Sequence, residues 1–434
     1  MSRVIAGMNW HELYSFASKQ ALLGLCFEGI ERLGKEYPEK LKQNPIGREL
    51  LMTWMGKAQQ IRRQNMKVNA VAGKLFSMLR EDGLRCCILK GQGNALMYPN
   101  PYSRTSGDID VWIDASRERI MEYTQKKFEL GDDIRLQHLE TSLDGVPVEL
   151  HFFPCSMNNP IYHARLQKWF RRNADLQCSH IVGLPDGAGD VAVPTTAFNV
   201  VYQLTHLYHH FFDEGIGMRQ IIDYYYVVCD FYKVYQNSSK ITPSLFTLKE
   251  GSTSHPDPLS LRGEGGNRPT RCSEPLRSKD GGASKPSPSC AGWDRWDAIG
   301  DIASDASVSS AFTTDSSAST ALDVVQRELK YLGLWKFAGA VMYVLHEALG
   351  LSEERMIAPM DEKRGKLLLA EILEGGNFGK HFTKYGHFTQ QGMAKKYFLK
   401  IWRNMHFVRY YPAEALSEPI FRTWHFFWRM KNKK

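Results

Sequence analysis

No C-x-x-C pair occurs among the eight cysteines of this chain, which removes the usual spacing of a structural zinc site or a redox dithiol. Several, including the adjacent Cys86 and Cys87, sit in apolar context, so reduced thiols of a cytoplasmic protein are expected rather than a disulfide framework. No apolar run reaches the roughly 18–20 residues that cross a bilayer, and Met1 to Asn9 lacks the layout of a signal peptide. There is no G-x-x-x-x-G-K-[ST] phosphate loop. Nor is there a dense stripe of Lys and Arg with interleaved aromatics, so nucleic acid is allowed as a partner but not indicated. The net charge of +8 suits an anionic substrate such as a nucleotide.

The chain has length and apolar content enough for two or three domains. Residues 10–33 and 43–82 carry apolar side chains at helical spacing, Trp10, Leu13 and Tyr14 in the first and Leu50, Leu51 and Trp54 in the second. Arg85 to Leu89 reads as a short buried strand, Asp108 to Ile113 as a second, and Ser116 to Phe128 as a helix. Leu136–Leu143 and Val146–Phe152 flank Asp144-Gly145, the preferred dipeptide of a type I′ hairpin turn. From Pro194 to Tyr235 the pattern turns helical and aromatic, and helical patterning resumes at Leu322. Between them lies a stretch rich in Ser, Gly, Pro and Asp that cannot bury enough surface to offset its ordering entropy. The expected architecture is α+β: an N-terminal helical region (1–83), a small mixed-sheet core (84–193) and a helical domain (194–236 with 321–434). A disordered insertion (237–320) would interrupt that domain. A linker between independent domains is the alternative reading of the insertion.

The chemistry concentrates in Gly107-Asp108-Ile109-Asp110-Val111-Trp112-Ile113. A strand sends alternate side chains to opposite faces, so Asp108 and Asp110 share one face and Ile109, Val111 and Ile113 the other. Two adjacent carboxylates repel unless a cation sits between them, and hard ions such as Mg2+ favour such oxygen ligands. A solvated polar edge is the plainer reading. Glu149, in Val146-Pro147-Val148-Glu149-Leu150-His151, alternates in the same way and shares its face with His151. If its strand lies beside the first, three carboxylates converge, a set able to hold two metal ions in a phosphoryl-transfer site. Lys90 and Gly91 stand at the turn after the first strand, where a glycine lets backbone N–H groups approach a triphosphate and Lys90 adds a point charge.

The wording Leu89-Lys90-Gly91, Arg104, Gly107-Asp108-Ile109-Asp110 and Val148-Glu149-Leu150-His151 resembles the DNA polymerase β-like nucleotidyltransferase superfamily. Within it, the likeness is to the uncharacterised bacterial nucleotidyltransferase family, and runs from Trp10 to about Trp428 outside the insertion. The resemblance implies a mixed sheet, two Mg2+ ions and transfer of a nucleoside monophosphate from a nucleoside triphosphate to a hydroxyl acceptor. Asp108, Asp110 and Glu149 would be the catalytic and metal-binding residues, Glu149 also a candidate base. Lys90, Gly91, Arg104, Gly107 and Arg219 would contact the nucleotide. Gly91-Gln92 stands where the superfamily has Gly-Ser or Gly-Gly, and Lys90, Arg104 or Asn94 could compensate for the missing hydroxyl. Rival readings are a toxin-like enzyme that modifies protein or RNA, and a non-catalytic nucleotide-binding scaffold.

Three features remain. His206, His209 and His210 fall on one helix face, where a metal site competes with satisfied helix histidines. Arg219 and Asp223 are spaced for an intrahelical ion pair. The tail residues Trp424, Phe427 and Trp428, with Arg422, Arg429 and Lys431, suit either a base or membrane surface, or packing on the helical bundle with the cations solvated. Gly375-Gly376-Asn377-Phe378-Gly379 is a glycine-rich stretch for which the sequence alone suggests no role.

Overall fold

A hairpin with both turn residues in the left-handed region organises the sheet. Asp144 has φ 50° and Gly145 φ 71°, as a type I′ turn requires. The computed structural model describes residues 7–129, 135–235, 320–382 and 393–432, all of which fall in one compact unit. The insertion expected over 237–320 lies outside the described residues, apart from Thr320. That residue belongs to the following helix as its N-cap: its hydroxyl accepts from Asp323 N at 3.1 Å, and Asp323 Oδ2 accepts from Thr320 N at 2.9 Å.

In chain order, helices α1 (Trp10–Lys19), α2 (Leu23–Glu36), α3 (Pro38–Gln43) and α4 (Arg48–Glu81) lead into strand β1 (Cys86–Leu89) and the short helix α5 (Gly91–Ala95). Strand β2 (Ile109–Ile113), helix α6 (Arg117–Lys127) and the hairpin β3 (His138–Leu143) and β4 (Val146–His151) follow. Helix α7 (Pro160–Ser179) and a second hairpin, β5 (Ile181–Gly183) and β6 (Asp190–Ala192), precede α8 (Thr196–Asp213) and α9 (Met218–Tyr235). Beyond Thr320 come α10 (Ala321–Tyr331), α11 (Trp335–Leu349), α12 (Glu362–Gly375), α13 (Met393–Met405) and α14 (Pro412–Asn432). This is the α+β architecture expected, with differences of detail. The helix expected over 10–33 is two, because Ala21 adopts φ 57° and breaks it. Gln20 then reaches the far end of the chain, donating to Ile372 O at 3.0 Å and accepting from Met218 N at 2.8 Å. The helical stretch from Pro194 to Tyr235 is likewise two helices, parted at Gly215, φ 102°. Helix α7 and the hairpin β5–β6 had no counterpart in the sequence reading.

The main sheet has the order β1-β2-β4-β3, with β2 and β4 parallel and both outer pairs antiparallel. One face is apolar but for Thr141 near the edge. Ile88, Ile109, Val111, Val148 and Leu150 pack with Val68, Leu75 and Leu79 of α4, whose buried residues recur at helical spacing. The opposite face carries the polar residues, bordered by Cys87, Leu89 and Trp112, which join the helical core. There Trp112 stacks on Phe198 of α8 at 6.4 Å between centroids. No helix among the described residues is long and apolar enough to cross a membrane.

Candidate active site

The parallel pairing of β2 with β4 sets Asp110 opposite Glu149, and Trp112 opposite His151. Asp108 lies two residues before Asp110 on the same face. The carboxylate oxygens of Asp108, Asp110 and Glu149 lie within 4.8 Å of one another. Asp110 is buried, Glu149 half-buried and Asp108 exposed at the rim.

Cationic and imidazole partners surround this cluster. Antiparallel pairing puts Leu89 opposite Asp110, so the next residue, Lys90, leaves β1 beside it. Lys90 adopts φ 49° and ψ −132°, a conformation costly for any residue but glycine. Its Nζ lies 3.0 Å from Asp110 Oδ1 and 2.8 Å from His206 Nε2. His151 Nε2 approaches the same Asp110 oxygen at 3.0 Å and Glu149 Oε2 at 3.2 Å. His138 Nδ1 is 3.4 Å from that Glu149 oxygen.

The protonation pattern follows. Burial pushes the Asp110 carboxyl up, but the Lys90 charge and the His151 hydrogen bond outweigh it and hold Asp110 well below the ordinary range. The charge of Asp110, then partial loss of water around a carboxyl that faces the cavity although the residue stands at the rim, pushes Asp108 up to about 6. Burial raises Glu149, yet the hydrogen bond from His151 brings it below its usual value. For His151, burial is overcome by the hydrogen bonds to Asp110 and Glu149, which raise it to about 9. Burial and then the Lys90 charge push His206 far down, so it is the neutral acceptor of a Lys90 N–H.

A cavity of about 560 Å³ opens from Asp108 and Asp110 towards the helical half of the molecule. Gly91, Gly107, Arg104 and Arg219 all line it with Lys90 and Asp108. Arg104 is buried and bidentate: Nε donates to Asp223 Oδ1 at 2.7 Å and Nη2 to Oδ2 at 2.8 Å. The intrahelical Arg219–Asp223 pair is therefore corrected. Asp223 belongs to Arg104 and to the Tyr98 hydroxyl at 2.7 Å, while Arg219 Nη1 donates to Thr105 O at 3.4 Å. Arg104 Nη1, Ser106 Oγ, Arg219 Nε and Gln220 Nε2 are buried without a hydrogen-bond partner, and all four residues line the cavity. Buried donors without acceptors are costly, and a set of them around one cavity suits an anion.

Other candidates point elsewhere. Gln92 turns its amide onto Asn69 in the interior, and Asn94 Oδ1 accepts from Asn199 at 3.3 Å and Gln203 at 3.2 Å. Of the three side chains able to stand in for a loop hydroxyl, Lys90 and Arg104 line the cavity and Asn94 does not. Among the described residues, the groupings able to hold a metal are Asp108/Asp110/Glu149 and His138/Glu149/His151; His206, His209 and His210 do not form one. Instead His206 Nε2 takes Lys90 and lies 3.0 Å from His210 Nε2.

The tail differs from the packed-and-solvated expectation. Trp424 and Phe427 are 50% and 62% exposed, Trp428 is half-buried with the Arg117 guanidinium over its ring, and Arg422, only partly exposed, pairs with Asp213 at 2.8 Å and with Glu418. The side chains of Arg429 and Lys431 lie outside the described residues. Sequence reasoning gave His138 and His151 no role, although the period-two alternation that placed Glu149 also placed His151 beside it.

A family model described as uncharacterised nucleotidyltransferase matches residues 6–235, more than half of the chain, and takes in β1 to β4 and every candidate site residue up to Arg219. Among solved structures, an antigenic nucleotidyltransferase-like protein from Paracoccidioides brasiliensis is 17% identical, with 37% of this chain and 75% of that one covered. Its TM-score is 0.27, too slight a likeness to carry an argument. No curated protein matches the chain.

Proposed function

The chain belongs to the uncharacterised nucleotidyltransferase family, and we propose that it transfers a nucleoside monophosphate from a nucleoside triphosphate to a hydroxyl acceptor with the help of Mg2+. The observation that carries this reading is the convergence of Asp108, Asp110 and Glu149 within 4.8 Å. The residues fit a hard cation. All three donors are carboxylate oxygens, and Asp108, raised to about 6 by the Asp110 charge, marks negative charge that Lys90 and His151 leave incompletely balanced. Lys90 and His151 both reach Oδ1 of Asp110, so neither occupies its second oxygen. When bound, two such ions would polarise the reacting phosphate and neutralise charge on the attacking and leaving oxygens.

The chain's own residues would then do the positioning. Asp108, at the rim, meets the incoming nucleotide, while buried Asp110 is kept ionised by Lys90 and His151. Glu149, held below its ordinary range, is better suited to hold a cation than to accept a proton. The unpartnered donors of Arg104, Ser106, Arg219 and Gln220 would receive phosphate oxygens along the cavity wall. Gly91 and Gly107 line the same cavity and bring their backbone, without a side chain, to its wall. A reducing, cytoplasmic setting belongs to the same reading, since Cys86, Cys87, Cys155 and Cys178 are buried as free thiols.

Incubation with Mg2+, cell extract and nucleoside triphosphates labelled at the α-phosphate tests the reading. Label on a small molecule, a protein or an RNA would identify the acceptor. Label transferred from the γ-phosphate but never from the α-phosphate, or no transfer at all, would overturn it.

A further inference from the structure

The stretch Gly375–Gly379, to which the sequence assigned no role, enters the same cavity from the other end of the chain. It lies outside the part of the chain that the family model matches. Its backbone is forced into an unusual path: Gly376, Phe378 and Gly379 have φ 64°, 55° and 62°. For an aromatic residue that is a strained conformation, and such strain persists only where the surroundings impose it. The surroundings here are the turn between α8 and α9. A side chain at Gly379 would collide with the Glu214 carbonyl, and one at Gly217 would come within 2.7 Å of Asn377 Cα. The two backbones are thus in close contact, and the loop is pinned in place.

What the pinned loop presents is an aromatic ring. Phe378 lines the cavity that holds Asp108, Asp110 and Arg219, and it remains partly exposed. Its ring meets the edge of His210 at 5.3 Å, and the Arg219 guanidinium lies 5.6 Å from its centroid. His210 in turn lies against His206, His206 against Lys90, and Lys90 against Asp110, so contacts run unbroken from ring to carboxylates. Beside the ring, Asn377 Oδ1 is buried without a hydrogen-bond partner. A flat apolar surface next to an unmatched acceptor, in a cavity whose wall also carries Lys90, Arg104 and Arg219 for phosphates and Asp108 and Asp110 for a cation, matches a nucleobase: a π-face with N–H groups on its edge.

We infer that Phe378 is the stacking platform for the base of the nucleoside triphosphate, with Asn377 beside it to accept a base N–H. The inference rests on the nucleotide reading above and adds to it the residue that distinguishes a nucleotide from a bare polyphosphate. Arg219 serves both parts, its guanidinium steadying the ring while it faces the phosphate-binding wall.

Calorimetric titration of the full-length protein with the Mg2+ complexes of ATP, GTP, CTP and UTP, and with inorganic tripolyphosphate, tests it. Phe378→Leu, which keeps apolar bulk without a ring face, should weaken the best-bound nucleotide by about 5- to 100-fold, the range that stacking a base on an aromatic ring is worth. Tripolyphosphate binding should be unchanged, and Phe378→Trp should restore the nucleotide affinity. The inference is overturned if Phe378→Leu binds the nucleotide as the wild type does, if it loses tripolyphosphate to the same extent, or if Phe378→Trp is as weak as Phe378→Leu. Wild-type protein that binds none of the four triphosphates would instead defeat the nucleotide reading itself, and this inference with it.

Discussion

The two faces of the central sheet are laid down by one alternation of residues and have opposite physics. Under α4, Ile109, Val111, Val148 and Leu150 meet Val68, Leu75 and Leu79 in an apolar core, where each contact contributes through buried area and close packing, without direction or charge. On the other face, Asp110, Glu149, His151, His138 and Lys90 form a network in which each group has a specific partner. Removing one member there leaves charge in a poorly solvated place. The comparison teaches that the first face holds the strands in register so that the second can hold charges together. Stability and chemistry are separated by the thickness of one sheet.

The strongest test of that separation is Asp108→Asn or Asp110→Asn. Either should reduce nucleotidyl transfer by about 1000-fold or more, since charge neutralisation dominates such reactions. Asp108 lies at the exposed rim, so the melting temperature of Asp108→Asn should stay near that of the wild type; full activity in both variants would remove the carboxylate cluster from the mechanism. On the dry face, Leu75→Ala should cost about 2–5 kcal/mol in urea denaturation. The protein that remains folded should keep its specific activity, and a proportionate loss of both would show that the faces are not independent.

Arg104 joins the carboxylate face to the helices. Arg104→Leu strands Asp223 in the interior and should destabilise by about 3 kcal/mol, read by denaturant titration. Arg104→Leu/Asp223→Leu together should recover part of that loss. No recovery would mean that Arg104 matters for something other than its partner.

The smallest effect concerns a carboxyl farther out on the helical side. Glu414 Oε1 accepts from Asn158 N at 2.6 Å at the start of α7, and burial raises its pKa from 4.5 to about 7. The unfolded chain therefore releases this proton at lower pH than the folded one. Stability is fully present below about pH 4.5, falls as pH rises to about 7, and is level above that. Glu414→Gln keeps an acceptor and removes the titration, so it should gain about 1–3 kcal/mol on the wild type between pH 5 and 8. A constant difference between the two proteins across that range would contradict the assignment.

Much of the carboxylate face was legible because period-two alternation is local. Asp108 with Asp110, Glu149 with His151, and the Asp144-Gly145 turn all follow from residues a few positions apart. The anchoring of Asp110 by Lys90 was half legible, since Lys90 stood next to the strand but its partner did not announce itself. Helical spacing points Asp223 to Arg219, its nearest neighbour of opposite charge, whereas the buried bidentate partner, Arg104, comes from more than a hundred residues away. The break at Ala21 is hidden for a different reason: alanine favours helix, and long-range contacts hold the chain in another path, those of Gln20 with Ile372 and Met218 and that of Ala21 O with the Thr105 hydroxyl.

By itself the sequence determined which side chains share a face, which dipeptide turns the hairpin and which carboxylates are available for a cation, because strand geometry acts over two or three residues. Tertiary structure alone decided that β4 runs parallel to β2 with Glu149 opposite Asp110, that Gln92 turns away from the cavity, and that Phe378 arrives in it from the far end of the chain. Those outcomes depend on pairings and collisions between segments distant in sequence, where the deciding energy is burial and charge matching in three dimensions rather than local conformational preference.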